Sequence, residues 1–203
     1  VAQLRQRGMT ARPETRIGNP AEEILVCAEE THAGLIALGA KGVGKVRRFL
    51  LGSVAQRVAR YATCSVLAAR EPGRLGSLLV ATDCSPHAEG AVTALLSLPL
   101  PQGLTATAVT VVSPASGNEE AARACAQAVG ERLRQNGLMA DWEIASGNEA
   151  ATILSLAEAK QSDLIVLGAG QRAADGEPIL GSIAFGVLDG ASCSVFLGRR
   201  ARW

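Results

Sequence analysis

The chain repeats itself at a spacing of 129 residues. GNPAEEILVCAEETHAGLIALGA from Gly18 lies on GNEAATILSLAEAKQSDLIVLGA from Gly147, and LLGSVAQRVARYATCSVLAAR from Leu50 lies on ILGSIAFGVLDGASCSVFLGR from Ile179. No gap is needed, and 22 of the 53 positions from Gly18 to Arg70 are identical. Upstream, LRQRG at Leu4 lies on LRQNG at Leu133. A duplicated unit restricts the chain to two versions of one structural plan. The second copy starts near Ser77. Residue 1 is equivalent to residue 130, so the first copy lacks a counterpart of residues 77–129, about 53 residues. The chain also opens with Val rather than Met. The expectation is one and a half copies. Residues 1–70 form a partial first unit with three strands and two helices, truncated at its start. Residues 71–76 (EPGRLG) form a linker, and residues 77–203 a complete second unit.

The complete copy alternates strand and helix. SLLVATD (77–83) is a short β-branched apolar run, read as a buried strand. SPHAEGAVTALLSL (85–98) opens on Ser-Pro, a good helix start. LTATAVTVVS (104–113) is a strand. NEEAARACAQAVGERLRQNG (118–137) is a helix with Asn118 available as cap, acids in its first turn and Gly137 to end it. MADWEIAS (139–146) alternates as a strand, NEAATILSLAEAKQ (148–161) is a helix capped by Asn148, and DLIVLGA (163–169) is a buried strand. SIAFGVLDGA (182–191) is a helix weakened by Gly186, and SVFLG (194–198) is the last strand. The order βαβαβαβαβ predicts an α/β fold, an open five-stranded parallel sheet with helices on both faces.

Composition agrees and excludes several classes. Apolar residues make up 48% and aromatics 3%, so the core is built from Ala, Val, Leu and Ile. A net charge of +1 gives no electrostatic footprint for nucleic acid or a membrane surface. No apolar run reaches the roughly 18 residues of a membrane helix, and no signal peptide is evident. The cysteines at 27, 64, 84, 125 and 193 are odd in number and include no C-x-x-C pair. They are read as reduced thiols of a cytoplasmic protein.

GAKGVGKVRRFLLGS, from Gly39 to Ser53, is the segment with most chemical content. In an open parallel α/β sheet, ligands bind at the carboxyl ends of the strands. Here a strand runs into a glycine turn, and Gly52-Ser53 opens a helix. Ser53 is a plausible N-cap, and the helix start offers unpaired N–H groups to an anion. The spacing is neither a Walker loop nor G-x-G-x-x-G. On local pattern alone a turn followed by a helix cap is the favoured reading.

The pattern G-x-x-G, nine residues, then G-[ST] resembles the nucleotide loop of the universal stress protein family. It reads Gly39-Ala40-Lys41-Gly42, Val43 to Leu51, then Gly52-Ser53. LLVATDCSPHAEGA, GNPAEEILVCAEE and CSVLAAR resemble that family's first strand and helix, the stretch before its fourth strand, and its last strand. The resemblance covers essentially the whole chain, in tandem form. It implies a Rossmann-like sheet in strand order 3-2-1-4-5, ATP with Mg2+ in some members, a stress-response role, and dimer-type pairing through the fifth strand, between subunits or between tandem halves.

The resemblance also implies site residues. In the second half Asp83 matches the family aspartate near the adenosine. Ala81 and Thr82 line the adenine side, Val111 lies near the base, and Leu167 and Gly168 end the fourth strand. Gly181, Ser182 and Ile183 match the phosphate end. The departure is Gln171 in place of the second glycine, in a loop that also carries Asp175, Glu177 and Pro178. In the first half Gly39, Gly42, Gly52, Ser53 and Val54 complete the loop, and Lys45, Arg47 and Arg48 suit phosphates or simply form a solvated basic loop. Its partner aspartate falls in the segment without counterpart. Losing strands 1 and 2 of that half leaves LIALG as an uncovered sheet edge. TARPETRIG near the start is therefore expected to be displaced.

Other residues suggest less. Asp83, Ser85 and His87 lie too close in sequence for a catalytic triad, and Ser85 reads as a helix cap. His32 and His87 have no second ligand at metal spacing and read as surface or cap residues. Cys64 and Cys193 are repeat equivalents and read as buried structural thiols. Three functions compete. The first is a regulatory protein that binds ATP or a relative, with at most slow hydrolysis. The second is a non-nucleotide interaction or dimerisation module. The third, ranked low, is an enzyme of a related nucleotide-binding class, for which no phosphate loop follows the first strand.

Overall fold

The computed structural model of the chain describes residues 1–40, 51–70, 75–113, 118–170 and 180–199. The elements are α1 (Ala2–Gln6), α2 (Pro20–Glu30), β1 (Leu35–Gly39), α3 (Ser53–Tyr61), β2 (Ser65–Ala69), β3 (Ser77–Ala81), α4 (Pro86–Leu96), β4 (Thr105–Val112), α5 (Glu119–Gln135), β5 (Met139–Ser146), α6 (Glu149–Ala159), β6 (Leu164–Gly168), α7 (Ser182–Gly190) and β7 (Ser194–Gly198). They build one seven-stranded sheet in the order β1-β2-β7-β6-β3-β4-β5. Read from β5 inward, the second copy supplies its strands as 3-2-1-4-5, all parallel.

Alternating strand residues divide the core between two faces. Leu79, Ile165, Val195 and Leu197 face one side, with α3, α6 and α7 packed there. Leu78, Val80, Val166 and Phe196 face the other, under α4 and α5. Local signals set the helix ends. Ser85 Oγ accepts from Ala88 N–H (3.3 Å) ahead of Pro86. Asn19 and Asn148, repeat equivalents, cap α2 and α6 through their side-chain oxygens. Gly137 follows the Asn136 C-cap of α5 at φ 86°. Asn118 precedes α5 without a side-chain cap bond, contrary to expectation.

The halves meet through their last strands, as the resemblance implies. β2 and β7 pair antiparallel, with Val66 opposite Leu197, Leu67 opposite Phe196 and Ala68 opposite Val195. Leu67 and Phe196 are repeat equivalents, so a pseudo-two-fold axis passes between them. Its consequences are visible in pairs. Ser65 Oγ accepts from Arg199 N–H (3.1 Å), and Ser194 Oγ accepts from Arg70 N–H (3.2 Å). Arg199 Nη2 donates to the Ala59 carbonyl near the end of α3 (2.8 Å), and Arg70 Nη2 to the Leu188 carbonyl near the end of α7 (2.8 Å). Each arginine thus ties its strand to the last turn of the other half's helix, where a cation complements the helix dipole. Burial lowers both guanidinium pKa values, that of Arg199 to about 10.

Two expectations for the first copy meet different outcomes. β1 is the sheet edge, pairing only with β2 among the described residues, as anticipated. Of its three expected strands only two form, because residues 9–17 carry no strand. β5, the counterpart of that segment, is held by β4, and among the described residues no strand stands beside 9–17 to do the same. TARPETRIG is displaced instead: Arg16 ion-pairs with Glu14 and with Glu30 of α2, and Ile17 is 98% exposed.

The five cysteines are not all thiols. Cys84 and Cys125 form a disulfide, and Cys27, Cys64 and Cys193 are free. The two partners are 41 residues apart, but α5 packs back over β4 and brings their Cα atoms to 5.8 Å.

Candidate functional site

The carboxyl ends of β3, β4 and β6 open into a cleft of about 480 Å³, within the range of small-molecule sites. Its walls come from separate elements. β3 and the turn after it give Ala81, Thr82 and Asp83; β4 gives Val109 and Val111; β6 gives Leu167 and Gly168. The start of α7 gives Gly181, Ser182 and Ile183. All nine second-half residues picked from the sequence therefore line one cavity.

Hydrogen bonds shape the β3–α4 turn. Thr82 N–H donates to the Val109 carbonyl (2.9 Å), continuing the sheet one residue past β3. Thr82 Oγ then accepts from Cys84 N–H (3.1 Å), and Asp83 Oδ1 accepts from Ser85 N–H (3.0 Å). The second bond uses one carboxylate oxygen of Asp83 and holds the exposed side chain at the cleft. Ala81, Val109, Ile153 and Leu167 are buried and give the apolar wall. Gly168 is required by close approach: a Cβ there would lie 2.8 Å from the His87 carbonyl carbon and 2.9 Å from Ala88 N.

The helix starts differ from the sequence expectation in one detail, since Ser53 was the expected N-cap of α3. The N-cap residues are Gly181 and its equivalent Gly52, both extended, and Ser182 and Ser53 are the first helical residues. No side chain caps either end. A small N-cap leaves the first-turn N–H groups of α7 directed at the cleft, where they suit an anion.

The first-half residues are not brought to this cavity. Gly39 ends β1, and Gly52 N–H donates to the Ala40 carbonyl (2.7 Å), closing the base of the loop. Neither Gly39, Gly52, Ser53 nor Val54 lines the cleft. Gly42, Lys45, Arg47 and Arg48, and in the second half Gln171, Asp175, Glu177 and Pro178, lie outside the described residues.

Sequence reading missed several lining residues. Val109 sits two positions before Val111 on the same strand face and was open to a period-two argument. His87, Glu149 and Ile153 come from α4 and α6, whose amino ends converge only through packing. Asp83, Ser85 and His87 are not linked as a triad: Asp83 Oδ1 accepts from the Ser85 backbone N–H and Ser85 Oγ from the Ala88 N–H. His32 is exposed at φ 50°, as its equivalent Gln161 is at φ 52°, both just past a helix end. Among the described residues no group of three His, Cys, Asp or Glu is placed to hold a metal ion. No described helix is long and apolar enough to cross a membrane.

The fold has known counterparts. A crystal structure of a universal stress protein from Archaeoglobus fulgidus superposes with a TM-score of 0.69 at 23% identity, covering 98% of this chain and 73% of that one. A functionally unknown protein from Pseudomonas aeruginosa superposes at 0.70 with 16% identity, covering 98% and 75%. At these identities the likeness concerns the fold. In sequence, a universal stress protein of Methanocaldococcus jannaschii is 43% identical over 65 residues, 32% of this chain and 38% of that protein. One from Bacillus subtilis is 37% identical over 65 residues, 32% and 44%. The matched stretch thus spans less than half of either relative. The profile of the Universal stress protein family matches residues 1–70 and again 75–199. Two matches, one for each copy of the repeat, show that the chain belongs to the universal stress protein family.

Proposed function

We propose that the second-half cleft binds an adenine nucleotide, ATP or a relative, and that occupancy regulates a stress-response protein in the cytoplasm. The observation carrying this reading is the convergence of the nine second-half residues on one cavity with two chemically distinct ends. The residues present fit the ligand. Ala81, Val109 and Leu167 offer a dry face for a base, the Asp83 carboxylate an acceptor for ribose hydroxyls, and the uncapped α7 start N–H donors for phosphate. Any Mg2+ would arrive on the phosphates. Regulation rather than turnover is the expected use. The one carboxylate at the turn already accepts the Ser85 N–H and sits at the ribose end rather than beside the phosphates.

One observation favours the second reading, a non-nucleotide interaction module. The described lining holds the carboxylates Asp83 and Glu149 and no Lys or Arg. Calorimetric titration with ATP separates the two. The nucleotide reading predicts saturable binding, weakened at least tenfold by Asp83→Ala, about 1.4 kcal/mol, and changed less than twofold by Gly42→Asp in the first-half loop. No heat, and no thermal shift with millimolar ATP, would establish the interaction module instead. Loss of binding in Gly42→Asp would move the site to the first half.

A further inference from the structure

The disulfide lies inside the turn that shapes the cleft. Thr82, Asp83 and Ser85, on either side of Cys84, all line the cavity. Cys84 itself sits at φ 54°, a left-handed conformation uncommon among non-glycine residues. Its partner Cys125 lies on α5, an element that contributes no residue to the cleft. The Cys125 sulfur is also 3.8 Å from Thr82 Oγ. The bond is therefore a covalent tether from outside the cleft to its adenosine-side turn. Access to it is one-sided: Cys84 is exposed, whereas Cys125 is 8% exposed. Of the free cysteines, Cys64 and Cys193 have thiol pKa values raised by burial, which disfavours the reactive thiolate.

Resting on the nucleotide reading above, we infer that Cys84 and Cys125 form a reversible redox site that controls the shape of the Asp83 turn and, through it, ligand affinity. The oxidised pair holds the turn in its binding conformation, so that ligand need not order it. The reduced pair frees Cys84 to leave its left-handed conformation. The reductant is a dithiol. One of its thiolates attacks Cys84 Sγ, the S–S bond breaks, and Cys125 Sγ departs as a thiolate and takes a proton. The second thiol of the reductant, deprotonated, attacks its own partner sulfur in the mixed disulfide, and Cys84 departs and is protonated. The reductant loses two electrons and becomes a disulfide, and the protein gains two thiols. The same steps in reverse, with such a disulfide as oxidant, close the tether. A cytoplasmic protein would meet both partners, since disulfides there are transient and redox-sensing.

The test compares the full chain oxidised, reduced with dithiothreitol, and as the double variant Cys84→Ser/Cys125→Ser. Thiol counting after denaturation should give three in the oxidised protein and five in the reduced. ATP should bind the reduced protein and the double variant at least fivefold more weakly than the oxidised protein. Reoxidation should restore the wild type alone. Amide exchange over residues 82–88 should be at least tenfold faster in the reduced protein. Five thiols persisting under oxidant, or equal affinity with equal exchange, would overturn the inference. If neither form binds ATP, the nucleotide reading fails by itself. Exchange then decides the redox control of the turn, faster when reduced upholding it and equal rates overturning it.

Discussion

Gly198 at the end of β7 offers a sharp test of the packing that builds the cleft. A Cβ placed there would lie 2.2 Å from Ala91 Cα and 2.4 Å from Ala91 Cβ, on the α4 backbone and its first side-chain carbon. Ordinary carbon contacts begin near 3.5 Å, so α4 would have to withdraw by about 1 Å. Nothing flexible can give way, and the overpacking cost falls at the upper end of the usual range, about 3 kcal/mol. The repeat supplies a natural control. The equivalent of Gly198 is Ala69, which is exposed at the end of β2. α4 packs on β6 and β7, whereas Ala69 is exposed and its Cβ meets no such helix among the described residues. Gly198→Ala should lower the urea midpoint by about 1 M, taking an m-value near 3 kcal/mol/M for a chain of this size. Ala69→Gly should cost no more than about 1 kcal/mol, the entropic term alone. The same α4 displacement would shift His87 and Ala88 away from Gly168 and deform the cleft. Equal, small effects at positions 69 and 198 would refute the claim that α4 seats on glycine at the strand ends.

Three further outcomes follow from the same geometry. Arg70→Ala and Arg199→Ala should each destabilise the fold by about 1–2 kcal/mol and by similar amounts in denaturant titration, because each removes the charged hydrogen bonding to last-turn helix carbonyls across the β2–β7 seam. Cys64 and Cys193, with pKa values raised by burial, should alkylate more slowly in native than in denatured protein at pH 8, as followed by mass spectrometry. Their native rates should climb only as pH rises above the ordinary thiol range. Gly168→Ala should weaken ligand binding more than Gly39→Ala, its repeat equivalent, when both are titrated with ATP, since only Gly168 abuts the backbone of α4.

Much of the architecture could be read from pattern because local and global preferences agree in the second copy. The period-two run Met139–Ser146 became β5 with those same bounds, and Ser85-Pro86 started α4. The repeat, with the strand order the resemblance implies, also told that β1 would be an edge and that TARPETRIG would be displaced. It misled in counting that segment as a strand, since a strand exists only with a partner to share its hydrogen bonds. The disulfide was hidden because 41 residues separate its cysteines and only the return of α5 over the sheet brings them together. The half-buried arginines were hidden for a similar reason: Arg70 and Arg199 each follow a last strand and look exposed until the halves meet. In the site, strand-end residues were supplied by the family resemblance, whereas Glu149 and His87 arrive on helices whose packing no short motif records. Ser53 was misassigned as a candidate cap because the preceding glycine takes the extended cap conformation.

The central claim is that ligand enters the second-half cleft, and hydrogen exchange with and without saturating ATP tests it most directly. The account predicts added protection at residues 81–83, 109–111 and 181–184, with no change at 39–40 and 52–54. Protection confined to 39–40 and 52–54, or none at saturating ATP, would contradict it.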